Sequence, residues 1–596
     1  MANKTELGAA ALDGGQIQFC VWAPDARSVE VETYPSQEDI VRHSMAMDEQ
    51  GVWRTALAGE AGLLYRFRLN EEWGYPDPYS RSQPEGVHGP SQVIDPAAFS
   101  WSDAGWPGLD RDSLVVYELH VGAYTRSGTF DALIPHLESL AELGVTAVEL
   151  MPVCEFPGRR NWGYDGAAFF APRSVYGGPE GLRRLVDAAH NHSLGVILDV
   201  VYNHLGPDGN YLAQYSRSYF TDRYQTPWGD AFNFDGTRSE WTRRFVLDNA
   251  SMWFDEFHID GFRLDATQEI YDGSEKHILR ELAEAVGDRQ PRRILIAEHE
   301  HHSLRIVTAR EEGGYGLDNI WLDDFHHSLH ALLTGERQGY YERYEGTTAE
   351  VAGILEAGAL YEAEEARALP RDRYTFCLQN HDQVGNRPQG ERLSHIIDLE
   401  RYKAAYTLLL LAPYTPLIFM GDEFAASTPF LFFSDHKKEL SQQITSGRRA
   451  ELKRLWGEVE PVDPQTETTY ARSILDLSER DHPPGKEVRL LFNELLALRR
   501  AMAFRTSPRA WPVSQDAVAM LQQEGNIALL VVANFGDRAE AQMPEHVRAL
   551  GAWEPVLSSA EERFAGPGVD LTSLAMDGDS SVGLPPRAAV VWRSRA

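Results

Sequence analysis

The stretch from His258 to Thr267, HIDGFRLDAT, sets a cation and a carboxylate two residues apart, Arg263 and Asp265, among alternating apolar residues. On an extended strand such residues share a face, so both groups would be delivered together to the strand's C-terminal end. A carboxylate held beside an arginine stays ionised, as a nucleophile must. Alone, the pair reads equally as a structural ion pair. Three further apolar runs end on polar residues: DVVYNH at 199–204, AEH at 297–299 and NHDQ at 380–383. Asp265, Glu298 and Asp382 would then converge on one rim with Arg263, His204 and His381.

Converging carboxylates with no reactive thiol, phosphate loop or zinc spacing suit glycoside chemistry. That reaction sets a carboxylate nucleophile against a carboxylic acid across the scissile bond. The acid must stay protonated at working pH, through burial or neighbouring negative charge. Glu298 follows the most apolar run, ILIA, and has no arginine beside it in sequence. Asp265 is therefore expected to be the nucleophile and Glu298 the acid/base. Asp382 would bind sugar hydroxyls and favour the strained, oxocarbenium-like state. His299, His301 and His302, in HEHH, and the pair His326–His327 lack zincin spacing and read as solvated loops. No metal and no cofactor is expected.

Strand ends can meet only if the strands are parallel neighbours. From about Leu114 the chain alternates short apolar runs with helical spacing: 114–121, 145–153, 196–202, 259–265, 294–297, 320–325, 374–378 and 416–420. Parallel strands buried on both faces read in this way, and eight of them predict an α/β fold, a (β/α)8 TIM barrel. No G-x-G-x-x-G supports an open dinucleotide-binding sheet. Residues 1–95 read as an N-terminal β-sandwich of alternating strands, with a wrapping linker over 75–96. The catalytic barrel is expected over 96–505, with long loops at 204–234 and 326–370, and a C-terminal β domain over 506–596. Trp228, Phe232 and Phe234 in the first loop could stack on sugar rings or simply pack the loop.

The chain has 596 residues and a formal net charge of −33, which disfavours nucleic acid and anionic membrane as partners. Three widely spaced cysteines, Cys20, Cys154 and Cys377, predict buried reduced thiols rather than disulfides. The opening MANKTELGAAALDGG has no apolar signal region, and no run approaches the ~18 apolar residues of a membrane span. A cytoplasmic location is the expectation.

DVVYNH, GFRLDA at 261–266, AE at 297–298 and NHDQ resemble, in order, the four signature regions of the α-amylase superfamily. The resemblance implies a retaining mechanism on α-glucosidic bonds, with the glycosyl intermediate on Asp265. It also implies that Asp199, His204, Arg263 and His381 hold the sugar at the cleavage site and that Tyr164, in NWGYDG, is its aromatic platform. Asn203 matches a calcium-binding position of some amylases, but without the rest of that site a hydrogen-bonding role is expected. FCVWAPDA and PDPYSR are similar to the N-terminal modules of branching and debranching enzymes. YELHVGAYT, NHLGPDGNYL, NHDQVGNRPQGERL and GDEFAASTPFLFFSDHKKEL most resemble the trehalohydrolases that act on maltooligosyltrehalose. That family cleaves the α-1,4 bond next to a terminal trehalose, and its metabolic partner is the maltooligosyltrehalose synthase. A 1,4-α-glucan branching enzyme and a non-catalytic glucan-binding protein are the alternatives.

Overall fold

Runs of Val, Ile and Leu buried on both faces close into a barrel of eight parallel strands. They are β1 (Val116–Leu119), β2 (Ala147–Leu150), β3 (Gly195–Val200) and β4 (Gly261–Leu264), then β5 (Ile294–Glu298), β6 (Asn319–Trp321), β7 (Tyr374–Phe376) and β8 (Thr415–Phe419). Val116 of β1 pairs with Leu417 of β8, closing the ring. Every strand residue is buried except Glu298, which is half-buried at the end of β5. The computed structural model describes residues 7–594 apart from 37–38, 288, 301–302, 361–369, 503–505, 538 and 577–580.

All eight strands fall within or beside the expected runs, and most are shorter. The run 320–325 ends as a strand at Trp321 because Asp323 and Asp324 open a helix, Asp324–Thr334. That helix and Thr348–Ala357 occupy much of the segment expected as a loop over 326–370; its residues 361–369 lie outside the described ones. Gly335, at φ 78°, ends the first of these helices in a conformation that costs glycine little. The 204–234 segment carries a hairpin of Phe220–Thr226 and Gly229–Phe232. The helical spacing over 130–140 is interrupted by a 3-10 turn at Ile134–His136, where Pro135 cannot donate to a preceding carbonyl.

Before the barrel, two antiparallel sheets face each other. One runs Gly8–Leu12, Gln16–Trp22, Val52–Ala58, Ala46–Met47; the other contains Val41–Ser44, Val29–Tyr34, Leu64–Leu69 and Gly74–Tyr75. Their docking on the barrel is aromatic and ionic: Trp22 stacks on Trp241 at 4.9 Å, and Arg81 meets Glu256 at 2.7 Å. The stretch read as a linker over 75–96 also returns a short strand, Ser91–Gln92, to Leu64 and Tyr65. After the barrel's last helix, Gly485–Met502, a five-stranded antiparallel sheet packs on helix Leu399–Leu411. None of the three cysteines is in a disulfide, and Cys154 is half-buried rather than buried. Among the described residues no helix is long and apolar enough to cross a membrane.

Candidate active site

Register decides what meets at the barrel mouth. Asp199 of β3 lies opposite Arg263 of β4, and Leu264 lies opposite Ala297, the residue before Glu298. Arg263 is almost wholly buried, with its guanidinium over the Trp321 ring at 4.7 Å. Its Nη1 donates to both oxygens of Asp199, at 3.0 and 2.9 Å, and to Oδ1 of Asp265 at 2.7 Å. Its Nη2 lies 2.9 Å from Oε2 of Glu298. Glu298, with no arginine beside it in sequence, thus gains one through the fold. Residues 35 apart in sequence become neighbours because β4 and β5 are adjacent parallel strands, so one fork reaches both carboxylates.

Glu298 nevertheless holds its proton. Burial, followed by the charges of Asp265 and Asp382, pushes it up to about 8 against the opposing pull of Arg263. Ala266 turns into the left-handed region, φ 39°, directly after Asp265, and its N–H donates to Glu298 Oε2 at 2.8 Å. A non-glycine residue in that region marks a backbone held by its surroundings, and here it bends away the chain leaving β4. Asp265 is held on its other side by Asn203, whose Nδ2 donates to Oδ2 and to the backbone oxygen of Asp265, both at 2.8 Å. This is the hydrogen-bonding role expected of Asn203.

The remaining expected residues line the same mouth. Tyr164 donates to Asp199 Oδ2 at 2.6 Å and lies 2.8 Å from His381 Nε2, its ring stacked on the imidazole at 5.3 Å. His204 Nε2 meets the Tyr164 backbone oxygen at 3.0 Å. Burial raises Asp199 to about 6 despite Arg263. His381 is buried, which opposes its charge, but Asp382 and Glu118 prevail and raise it to about 10. Asp382 remains a third exposed and accepts from Asn386 Nδ2 at 3.1 Å. All eight expected residues, Asp265, Glu298, Asp382, Tyr164, Asp199, His204, Arg263 and His381, therefore occupy one mouth.

Two features escaped the sequence reading, and two others sort out differently in the structure. Glu118 of β1 accepts from His381 twice, from Nδ1 at 2.5 Å and from the backbone N–H at 3.1 Å, fixing the ring. Glu149, beside it on β2, is buried with one oxygen unpartnered, and burial drives its carboxyl well above the usual range. A glutamate inside an apolar strand was the available signal for both, since an uncompensated buried charge is costly. Trp228 lies half-exposed on the hairpin tip, stacked on His204 at 4.5 Å, whereas Phe232 and Phe234 are buried in packing. His326 and His327 are also buried, on a helix rather than in a solvated loop; His299 is half-buried, and His301 and His302 lie outside the described residues.

A cavity of about 760 Å³ opens beside Glu298 and Asp382, walled by Trp321, Asp323, His327 and Tyr340. Its size suits an oligosaccharide portion rather than an ion alone. A protonated carboxyl, a carboxylate on the same guanidinium and an open cleft next to both are the parts that glycosidic bond cleavage requires.

Comparison with known proteins agrees with this geometry. Residues 74–232 match the α-amylase catalytic domain, and residues 6–94 match carbohydrate-binding module 48, the isoamylase N-terminal domain. A malto-oligosyltrehalose trehalohydrolase of Deinococcus radiodurans is 44% identical over 83% of this chain and 83% of its own. One from Saccharolobus solfataricus is 41% identical over 82% of this chain and 86% of its own. A crystal structure from Salmonella typhimurium, provisionally assigned as an alpha amylase, superposes with TM-score 0.88 at 31% identity, covering 99% of this chain and 100% of that one. A 1,4-alpha-glucan branching enzyme of Xanthomonas euvesicatoria is more distant, at 26% identity over 95% of this chain and 77% of its own. With a closed barrel, an N-terminal module and relatives of this identity over most of its length, the chain belongs to the malto-oligosyltrehalose trehalohydrolase family of the α-amylase superfamily.

Proposed function

We propose that the protein is a retaining glycoside hydrolase that cleaves the α-1,4-glucosidic bond next to the terminal trehalose of maltooligosyltrehalose, releasing trehalose. The observation that carries the chemistry is the shared guanidinium: Arg263 meets Asp265 at 2.7 Å and Glu298 at 2.9 Å. Two carboxylates on one fork fit the ~5 Å spacing of a nucleophile and an acid/base better than the ~6.5–9.5 Å that an inverting enzyme leaves for water. Asp265 attacks the anomeric carbon while Glu298 gives its proton to the departing oxygen. Water then attacks the glycosyl ester, with Glu298 taking a proton from it. Asp382 stabilises the oxocarbenium-like state through the sugar hydroxyls. Tyr164, Asp199, His204, Arg263 and His381 hold the sugar being cleaved from its departing group.

The substrate is supported by the names of the most similar relatives. The same reading gives a place in trehalose formation after a synthase that makes the substrate. Three cysteines with no disulfide among them fit a reducing, cytoplasmic setting. Incubation with maltooligosyltrehalose should release free trehalose, and Asp265→Asn should abolish that release. Iodine-detected branching of amylose without trehalose release would instead identify a branching enzyme.

A further inference from the structure

Asp323, His326 and His327 stand together on the wall of the cavity beside Glu298 and Asp382. Each offers a ligand atom within 4.8 Å of the other two. Asp323 and His327 face the cavity directly, and the Asp323 side chain is 38% exposed while that of His326 is 1% exposed. Two details separate this trio from an ordinary ion pair. Asp323 occupies the N-cap of helix Asp324–Thr334, yet its carboxylate accepts nothing from the helix; aspartate at that place normally caps. Instead it turns to His326 Nε2, 3.4 Å away, a nitrogen that is buried and has no hydrogen-bond partner.

Two ligands bonded to a tetrahedral ion at ~2.0–2.2 Å lie ~3.4 Å from each other, which is the separation of Asp323 Oδ1 from His326 Nε2. The other nitrogen of His326 is already engaged, Nδ1 lying 3.3 Å from Cys377 Sγ, which leaves Nε2 as the nitrogen turned toward Asp323. We propose that Asp323, His326 and His327 form a binding site for a divalent ion of the imidazole-preferring class, such as Zn2+, whose remaining coordination position faces the substrate cavity. Three protein ligands and one open position is the arrangement of an exchangeable site, and one carboxylate with two imidazoles selects Zn2+ over Mg2+ or Ca2+. The ion would occupy space that the glucan needs beside Glu298, so metal and substrate exclude one another.

The test titrates the full-length protein, first stripped with a chelator, with ZnCl2 in a calorimeter near neutral pH. Wild type should show one tight site per chain, and MgCl2 should give none there. His326→Gln and Asp323→Asn should each weaken that site by at least ~10–100-fold, the loss typical even of a residue behind a ligand. Asp323 lies partly exposed, so its variant keeps the test valid if His326→Gln fails to fold. In the hydrolysis assay Zn2+ should raise KM at constant kcat for wild type, with both variants resistant. No tight Zn2+ site in wild type, the same isotherm in all three proteins, or equal inhibition of all three would overturn the proposal.

Discussion

Arg263 holds three carboxylates at once, and the consequence falls on Glu298. A carboxyl 2.9 Å from a guanidinium would ordinarily be ionised; here burial, with Asp265 and Asp382 nearby, outweighs the cation and keeps the proton up to about pH 8. In the proposed mechanism the competent acid is the protonated form, and kcat/KM should fall as pH rises through about 8. Glu298→Gln should lower kcat by ~10²–10⁴-fold and remove that alkaline limb. A limb unchanged in the variant would assign it to another group. Glu118 acts on the same scale from behind. It fixes the His381 ring from a strand that presents no other polar side chain than Tyr117.

At the scale of elements, the site is as accurate as the fit of β4 between its neighbours. A Cβ on Gly261 would stand 2.5 Å from the backbone oxygen of Ile294 on β5, closer than real contacts permit. Gly261→Ala should therefore push β4 from β5, costing ~1–3 kcal/mol of stability and lowering kcat as Arg263 and Glu298 part. An unshifted melting temperature would show the strands have room. Trp228 tests the opposite case. It sits half-exposed on a hairpin tip against His204, so Trp228→Ala should raise KM for the glucan while costing at most ~1.5 kcal/mol, the value of one aromatic pair; unaltered KM would make it a packing residue. The strand ends were legible because parallel barrel strands write themselves as apolar runs, and a polar residue closing such a run stands out: Asp265 after GFRL, Glu298 after ILIA. What crosses from strand to strand was not legible. The Arg263–Glu298 contact depends on register, and the Asn203–Asp265 bond on the path of the chain beyond β3. His327 was misread because its burial beneath Tyr340, Tyr341 and Tyr344 comes from a later segment, and His326 because its neighbour Cys377 comes from a later strand end.

At the scale of the whole molecule, several buried groups keep protons that the unfolded chain would release. Glu298 is raised to about 8, Asp323 and Asp422 to about 7, and His381 from 6.5 to about 10. A raised carboxyl is most favourable below its unfolded value, near 4, and loses that contribution as pH climbs through its folded one. The raised histidine contributes fully below 6.5 and loses its share toward 10. Between pH ~6.5 and about 7 all four act in one direction, and Glu298 and then His381 continue it beyond, because the native state binds more protons than the unfolded one. The melting temperature should fall steadily from there into the alkaline range, and a flat or rising curve would contradict these environments. The N-terminal sheets add a separate kind of stability through Trp22 on Trp241 and Arg81 on Glu256. The closing pair of the barrel, Val116 with Leu417, has a consequence in time. A ribosome adding ~5–20 residues each second needs ~15–60 s between making the two partners. Throughout that interval the N-terminal sheets can be complete while β1 waits with one edge unsatisfied. A nascent chain arrested before residue 415 should bind chaperones that recognise exposed apolar strands, and release of the same chain beyond residue 419 should end that association; capture that persists equally after β8 emerges would show that closure is not the limiting event.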